Sequence, residues 1–227
     1  MVFVDHQNDR LVIHNANGLF DCEIPVPHSP IDVTCIEENT VAVTHNIEPY
    51  HIEIINIANR KIVKRIKTSN VSYGITNKGG RLLYYELGRV IQIADVTNES
   101  TVTTVVKVDG EHHWDYVTTL KDKIYHTSYN SNTVTCYEVT GQKVWEYQDK
   151  LILKGIRGEA VDNDYNVYVV SHGNDSVVVV SPDGQHARRL LGEENGIKYP
   201  YGIHFDQGRN ILLVSNLYGK AFLYNIK

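Results

Sequence analysis

The chain has little cysteine and none of it is paired by spacing. Cys22, Cys35 and Cys136 are odd in number, far apart and outside any Cys-x-x-Cys arrangement, which excludes a disulfide framework or a cysteine-built zinc site and reads as reduced thiols. Basic charge is also short: 22 Lys and Arg stand against 27 Asp and Glu, so the net charge of −5 removes the broad positive footprint of nucleic-acid or acidic-membrane binders. No apolar run approaches the roughly 18 residues of a membrane span. The opening Met-Val-Phe-Val turns polar after four residues, so no signal peptide is expected. These absences lead to the expectation of a cytoplasmic protein without a cofactor. Amphipathic helices of ten residues are missing too, as are Gly-x-Ser-x-Gly, Walker-type and Cys/His nucleophile patterns.

What fills the sequence instead is strand signal. Runs of four to seven residues rich in Val, Ile, Thr and Tyr alternate with Gly, Asn, Asp and Pro. The runs fall into register on a short signature: Ile31-Asp32-Val33, Tyr73-Gly74-Ile75, Trp114-Asp115-Tyr116, Arg157-Gly158-Glu159 and Tyr201-Gly202-Ile203, spaced by 42, 41, 43 and 44 residues. A period of about 40–45 residues with four strands per unit is the signature of a β-propeller blade.

The connection between the second and third strands of each unit recurs as DHQNDR (5–10), HNIEPYH (45–51), ELGR (86–89), SYNSNT (128–133), SHGNDS (171–176) and SNLYGK (215–220). The polar knot His172–Ser176 could be read as a metal or catalytic cluster. Its recurrence favours architecture, because Asn, Asp and Gly tolerate positive φ and bond their own backbone in tight hairpins. The turns ANG (16–18), VTG (139–141) and PDG (182–184) follow the same logic.

Labelling strands a to d outward from the hub gives blades at about 2–30 (b, c and d only), 31–70, 71–111, 112–155, 156–200 and 201–227 (a, b and c only). The expectation is an all-β, six-bladed propeller spanning 1–227 as a single domain. It has about 22 of 24 strands and is incomplete at its N-terminal closure. The first blade would lack its a strand and the last its d strand, exposing an edge that invites self-association through an open seam. An alternative closure gives five blades and a loose tail from about residue 209.

The strings RGEAVDNDYNVYVVSHGNDSVVVVSPDG and YGIHFDQGRNILLVSNLYGKAFLYNIK resemble NHL repeats. Blade by blade the chain is similar to the C-terminal propeller of tripartite-motif (TRIM-NHL) proteins, especially an invertebrate group with degenerate repeats such as TVAVTH…IEIINI. The resemblance implies a non-catalytic module that recognises a protein or peptide, as the substrate-recognition propeller of a TRIM-type ubiquitin ligase does. In that family a RING, B-box and coiled coil supply ligase activity and oligomerisation. Those zinc-binding parts need many Cys and His at short spacing and are not in these residues, so the chain itself is expected to be no enzyme.

Candidate contacts lie on the face that carries the b–c and d–a loops. Tyr129, Asn130, His172, Asn174 and Tyr218 give that face rigid aromatic and amide groups suited to a peptide. Tyr73 and Trp114, which share a register position, are expected to wedge between blades. Asp32, Asp115 and Glu159 open innermost strands; a hub calcium, and with it a lactonase-like hydrolase, is the enzyme alternative, against solvated carboxylates in a channel. His112 and His113 are adjacent and point to opposite faces, which argues against joint ligation. Single-stranded RNA is the other alternative. Its one basic run, NRKIVKRIK (59–67), sits on an outer strand, where Lys61, Arg65 and Lys67 more simply protect an edge.

Overall fold

The computed structural model describes residues 1–26, 29–88, 90–97, 102–108 and 113–226; Arg89 and His112 lie outside the described residues. Twenty-two strands form six antiparallel sheets, four of four strands and two of three, and the fold is a six-bladed β-propeller. The chain divides into two compact units, Met1–Glu111 and His112–Lys227.

The first unit holds three sheets. Strands β1 (Val2–Asp5), β2 (Arg10–His14) and β3 (Phe20–Pro25) make the first. The second contains β4 (Pro30–Glu37), β5 (Thr40–His45), β6 (His51–Asn56) and β7 (Lys61–Lys67), and the third β8 (Ser72–Lys78), β9 (Arg81–Glu86), β10 (Val90–Asp95) and β11 (Val102–Lys107). Leu11, Ile24, Val41, Val43 and Ile55 form the core between the first two sheets. Ile52, Ile54, Ile75, Leu82 and Tyr84 fill the next gap. Strand β5 is buried at every residue because it is covered on both faces, which is why TVAVTH is a continuous run rather than an alternating one.

The second unit repeats the plan. Its sheets are β12 (Tyr116–Leu120), β13 (Lys123–Ser128), β14 (Thr133–Glu138) and β15 (Lys143–Gln148), then β16 (Ile156–Val161), β17 (Val167–Ser171), β18 (Ser176–Val180) and β19 (Ala187–Leu191), then β20 (Pro200–Asp206), β21 (Ile211–Asn216) and β22 (Ala221–Asn225). Tyr125, Val134, Leu153, Val167 and Val178 pack in the first gap; Tyr168, Val177, Phe205, Leu212 and Val214 pack in the second. Outer strand β15 keeps no fully buried residue, so only the middle strands carry long apolar runs.

Two of the polar turns are built alike. His6–Asn8 and His172–Asn174 each form one 3-10 turn, closed by an aspartate in the left-handed region, Asp9 at φ 50° and Asp175 at φ 46°. His6 Nδ1 donates to the carbonyl of Pro30, and His172 Nδ1 to that of Pro200, both at 2.9 Å. A carbonyl only accepts, so the proton sits on Nδ1 in both imidazoles. Asp9 and Asp175 accept the Ser29 and Tyr199 amides, at 3.0 and 2.6 Å. His-x-Asn-Asp is therefore a clamp from one blade to the first strand of the next, made once in each unit.

Candidate functional site

In the second unit three aromatic side chains surround one cation. Arg157, the second residue of β16, is half-buried. Its guanidinium carbon lies 4.2 Å from the ring centre of Tyr129, 5.0 Å from Tyr201 and 5.3 Å from Trp114. The frame follows from the register. Trp114, Arg157 and Tyr201 hold equivalent positions in successive blades, and Tyr129 follows β13 in the neighbouring b–c turn. Trp114 reaches its place with φ 67°, a left-handed backbone that an aromatic residue rarely adopts. Tyr73, in the first unit, is buried in the interior, whereas Trp114 is half-buried and faces the arginine rather than serving only as a wedge.

The aromatic frame continues outward. His172 contacts Tyr201 at 6.2 Å and Tyr199 at 6.0 Å between ring centres, and Tyr199 meets Tyr218 edge-on at 5.4 Å. Beside it a shallow depression of about 520 Å³ is lined by Tyr129, Asn130, Lys154, Gly155, His172 and Gly173. Three of the five sequence-derived contact residues, Tyr129, Asn130 and His172, thus meet at one depression. Asn174 lies apart from it and holds the preceding loop, donating to the Leu151 carbonyl at 3.1 Å. Tyr218 stands at the outer end of the aromatic row and is 67% exposed.

The polar state of Arg157 is what sets this place apart. Its Nε and Nη1 are buried and have no hydrogen-bond partner. Tyr and Trp faces satisfy the charge of a guanidinium but not its N–H groups. A buried charged donor left unsatisfied costs on the order of 1–3 kcal/mol, so these N–H groups are open to an acceptor from outside the chain: a water, an anion or a carbonyl. Sequence reasoning used Arg157 only to set the register. The available signal was that an arginine stands where the other blades place Ile31, Tyr73, Trp114 and Tyr201.

The three hub carboxylates are each claimed by neighbouring strands. Asp115 is fully buried, with Oδ2 at 2.9 Å from His126 Nε2 and Oδ1 accepting the Tyr129 amide at 3.0 Å. Glu159 accepts from the Thr127 hydroxyl at 2.7 Å, and the same hydroxyl reaches the Arg157 carbonyl at 3.0 Å. Asp32, in the first unit, accepts the amides of Val33 and Ile75, both at 2.9 Å. Burial pushes the Asp32 carboxyl up to about 7 in spite of those two amide donors. Among the described residues, the one group of three possible metal ligands lies elsewhere, at His45, His51 and Glu53. Turn chemistry accounts for HNIEPYH (45–51) in the sequence; the signal for a cluster is two histidines and a glutamate within HNIEPYHIE, residues 45–53.

No family model and no curated protein matches the sequence. Solved structures do. Virginiamycin B lyase from Staphylococcus aureus is 17% identical, with 100% of this chain aligned to 80% of that one at a TM-score of 0.69. A Bacteroides thetaiotaomicron protein of unknown function is 12% identical over 98% of this chain and 65% of its own length, at a TM-score of 0.78. The Cps50 (Swd1) β-propeller domain of Myceliophteria thermophila is 9% identical, with 100% and 96% aligned and a TM-score of 0.65. At these identities the likeness is one of fold. By fold the chain is a six-bladed β-propeller, and its second unit carries an aromatic-framed arginine on the loop-bearing face.

Proposed function

We propose that the chain is a non-catalytic recognition module that binds an acidic protein segment or peptide, with the Arg157 guanidinium taking a carboxylate from the ligand. The observation that carries this reading is the pair of buried, unpartnered N–H groups on a cation held by three aromatic rings. The frame fixes the guanidinium before the ligand arrives, which lowers the entropic cost of binding. Tyr129, Asn130 and His172 then offer adjacent contact area and Tyr218 an outer one, with the His172 ring held in place by its Nδ1 bond to Pro200 and its Nε2 left as an acceptor. The resemblance to the recognition propellers of TRIM-type ubiquitin ligases fits this role, and in that setting the ligand is a substrate segment.

Selection from a random peptide display library tests the reading. Enriched peptides are expected to share an Asp, a Glu or a free C-terminus, and to lose at least tenfold in affinity against Tyr129→Ala. Enrichment of peptides without an acidic group, or equal capture by the variant, overturns it.

A further inference from the structure

The b–c hairpin of the second blade encloses a donor set that neither the fold nor the recognition reading uses. His45 ends β5, and His51 and Glu53 stand on β6. All three are buried, at 1%, 6% and 0% exposure. One donor atom from each lies within 4.8 Å of the other two. His45 Nε2 is 3.4 Å from Glu53 Oε2, and His51 Nε2 is 3.3 Å from Glu53 Oε1. A charge-assisted hydrogen bond closes to about 2.7–2.9 Å. The 3.3 Å contact is a long hydrogen bond and the 3.4 Å one is longer still, so the three groups converge without a short bond between them, within the 4.8 Å span that one ion at about 2.0–2.1 Å from each donor would draw together.

The surrounding bonds orient these donors as an ion would require. His51 Nδ1 donates to the carbonyl of Pro49, and its Nε2 faces Glu53 Oε1 at 3.3 Å, as a donor in the protonated ring and as a lone pair in the neutral one. A carboxylate oxygen facing that nitrogen needs positive charge between the two, either a proton on the imidazole or a metal ion in its place. Glu53 Oε1 is held by Arg65 Nε and Nη2, both at 3.0 Å, while Oε2 makes no hydrogen bond and faces His45. A carboxylate with one oxygen fixed by an outer partner and the other left to the ion is the usual arrangement around protein-bound metals. The two imidazole rings stack at 5.1 Å between their centres.

We infer that His45, His51 and Glu53 form a binding site for a divalent transition-metal ion of the zinc class, with Arg65 as the positioning residue. Two imidazoles and one carboxylate suit zinc and exclude calcium or magnesium, which take oxygen donors. At this burial the ion would be structural, tying the end of β5 to the start of β6 across residues 46–50.

The test uses the full chain after dialysis against a chelator, with Zn2+ alone titrated by calorimetry and Co2+ followed by visible absorption. One ion per chain, a four-coordinate cobalt spectrum and a raised melting temperature are expected. His51→Gln and His45→Gln should weaken binding at least tenfold, and Arg65→Met by a smaller factor. Because a buried variant can fail to fold, the wild-type chain carries a second readout: histidine nitrogen NMR should move two Nε2 resonances on adding Zn2+. Absence of binding by the wild-type chain, binding that is unchanged in both histidine variants, or a spectrum that leaves those resonances in place overturns the assignment.

Discussion

At the scale of single residues, two groups have outcomes that follow from their surroundings. Asp32 has its carboxyl in the interior, although the residue keeps partial exposure, and its pKa rises from 3.8 to about 7. Below about pH 4 both folded and unfolded chains hold the proton. Between pH 4 and 7 the unfolded chain gives it up first, so stability from this group is lost as the pH rises and levels off above 7. A rise of that size corresponds to roughly 4 kcal/mol in a fully enclosed group, and partial exposure reduces the expected effect to on the order of 1–2 kcal/mol. Urea unfolding of the wild type and Asp32→Asn at pH 4 and pH 7.5 should show the stability difference moving in favour of Asn by that amount at the higher pH. A constant difference would contradict it. Asp175 gives the second case: its side chain holds the Tyr199 amide while its backbone is left-handed. Asp175→Asn keeps both properties, whereas Asp175→Ala loses them. The alanine variant should therefore be about 1–2 kcal/mol less stable than the asparagine one by thermal melting.

At the scale of elements, strands were the legible part of the sequence and contacts between blades were not. Runs such as TVAVTH and SVVVV identify the covered middle strands, and Asn, Asp and Gly mark the hairpins, because both signals are local. The His172 bond to Pro200 and the placing of Trp114, Tyr129 and Tyr201 around Arg157 join residues 28 to 44 positions away in different blades. Only the three-dimensional stacking brings them together. The cluster at His45, His51 and Glu53 is local in sequence, yet turn chemistry explained the same residues and concealed it. Two c–d turns make a test of how far local chemistry reaches. Gly18 (φ 79°) and Gly184 (φ 68°) both need the left-handed conformation. A Cβ on Gly18 would meet open space, but one on Gly184 would lie 2.4 Å from the ring of Trp145, whose Nε1 donates to the Pro182 carbonyl at 2.9 Å. Gly18→Ala should lose only the conformational cost, about 1 kcal/mol, and Gly184→Ala at least about 1 kcal/mol more. Equal melting temperatures would show that Trp145 does not cover this turn.

At the scale of the whole molecule, charge and edges decide what the chain can meet. The net charge is −5, and the basic run on β7 offers less than its sequence promised because Arg65 is committed to Glu53. RNA binding at nanomolar concentration and physiological salt would still displace the peptide reading. In the last sheet β22 is an outer strand paired with β21, and Leu223 on it is 54% exposed. An apolar edge strand of this kind pairs readily with another chain. Sedimentation at rising concentration should detect self-association that Leu223→Lys reduces; a wild-type monomer throughout would contradict it.

The central claim is that Arg157 is a preset receptor for an acidic group, and it is tested most directly by one affinity comparison. A single acidic peptide from the selection is measured against the wild type, Arg157→Lys and Arg157→Met. Arg157→Met gives up the three cation–π contacts, so it should melt lower than the wild type, and Arg157→Lys, which keeps the charge, should melt between them; binding is compared at a temperature where all three are folded. The peptide should bind the methionine variant at least tenfold more weakly than the wild type, with lysine intermediate because it keeps the charge but not the planar donors. Affinity unchanged by Arg157→Met would contradict the account.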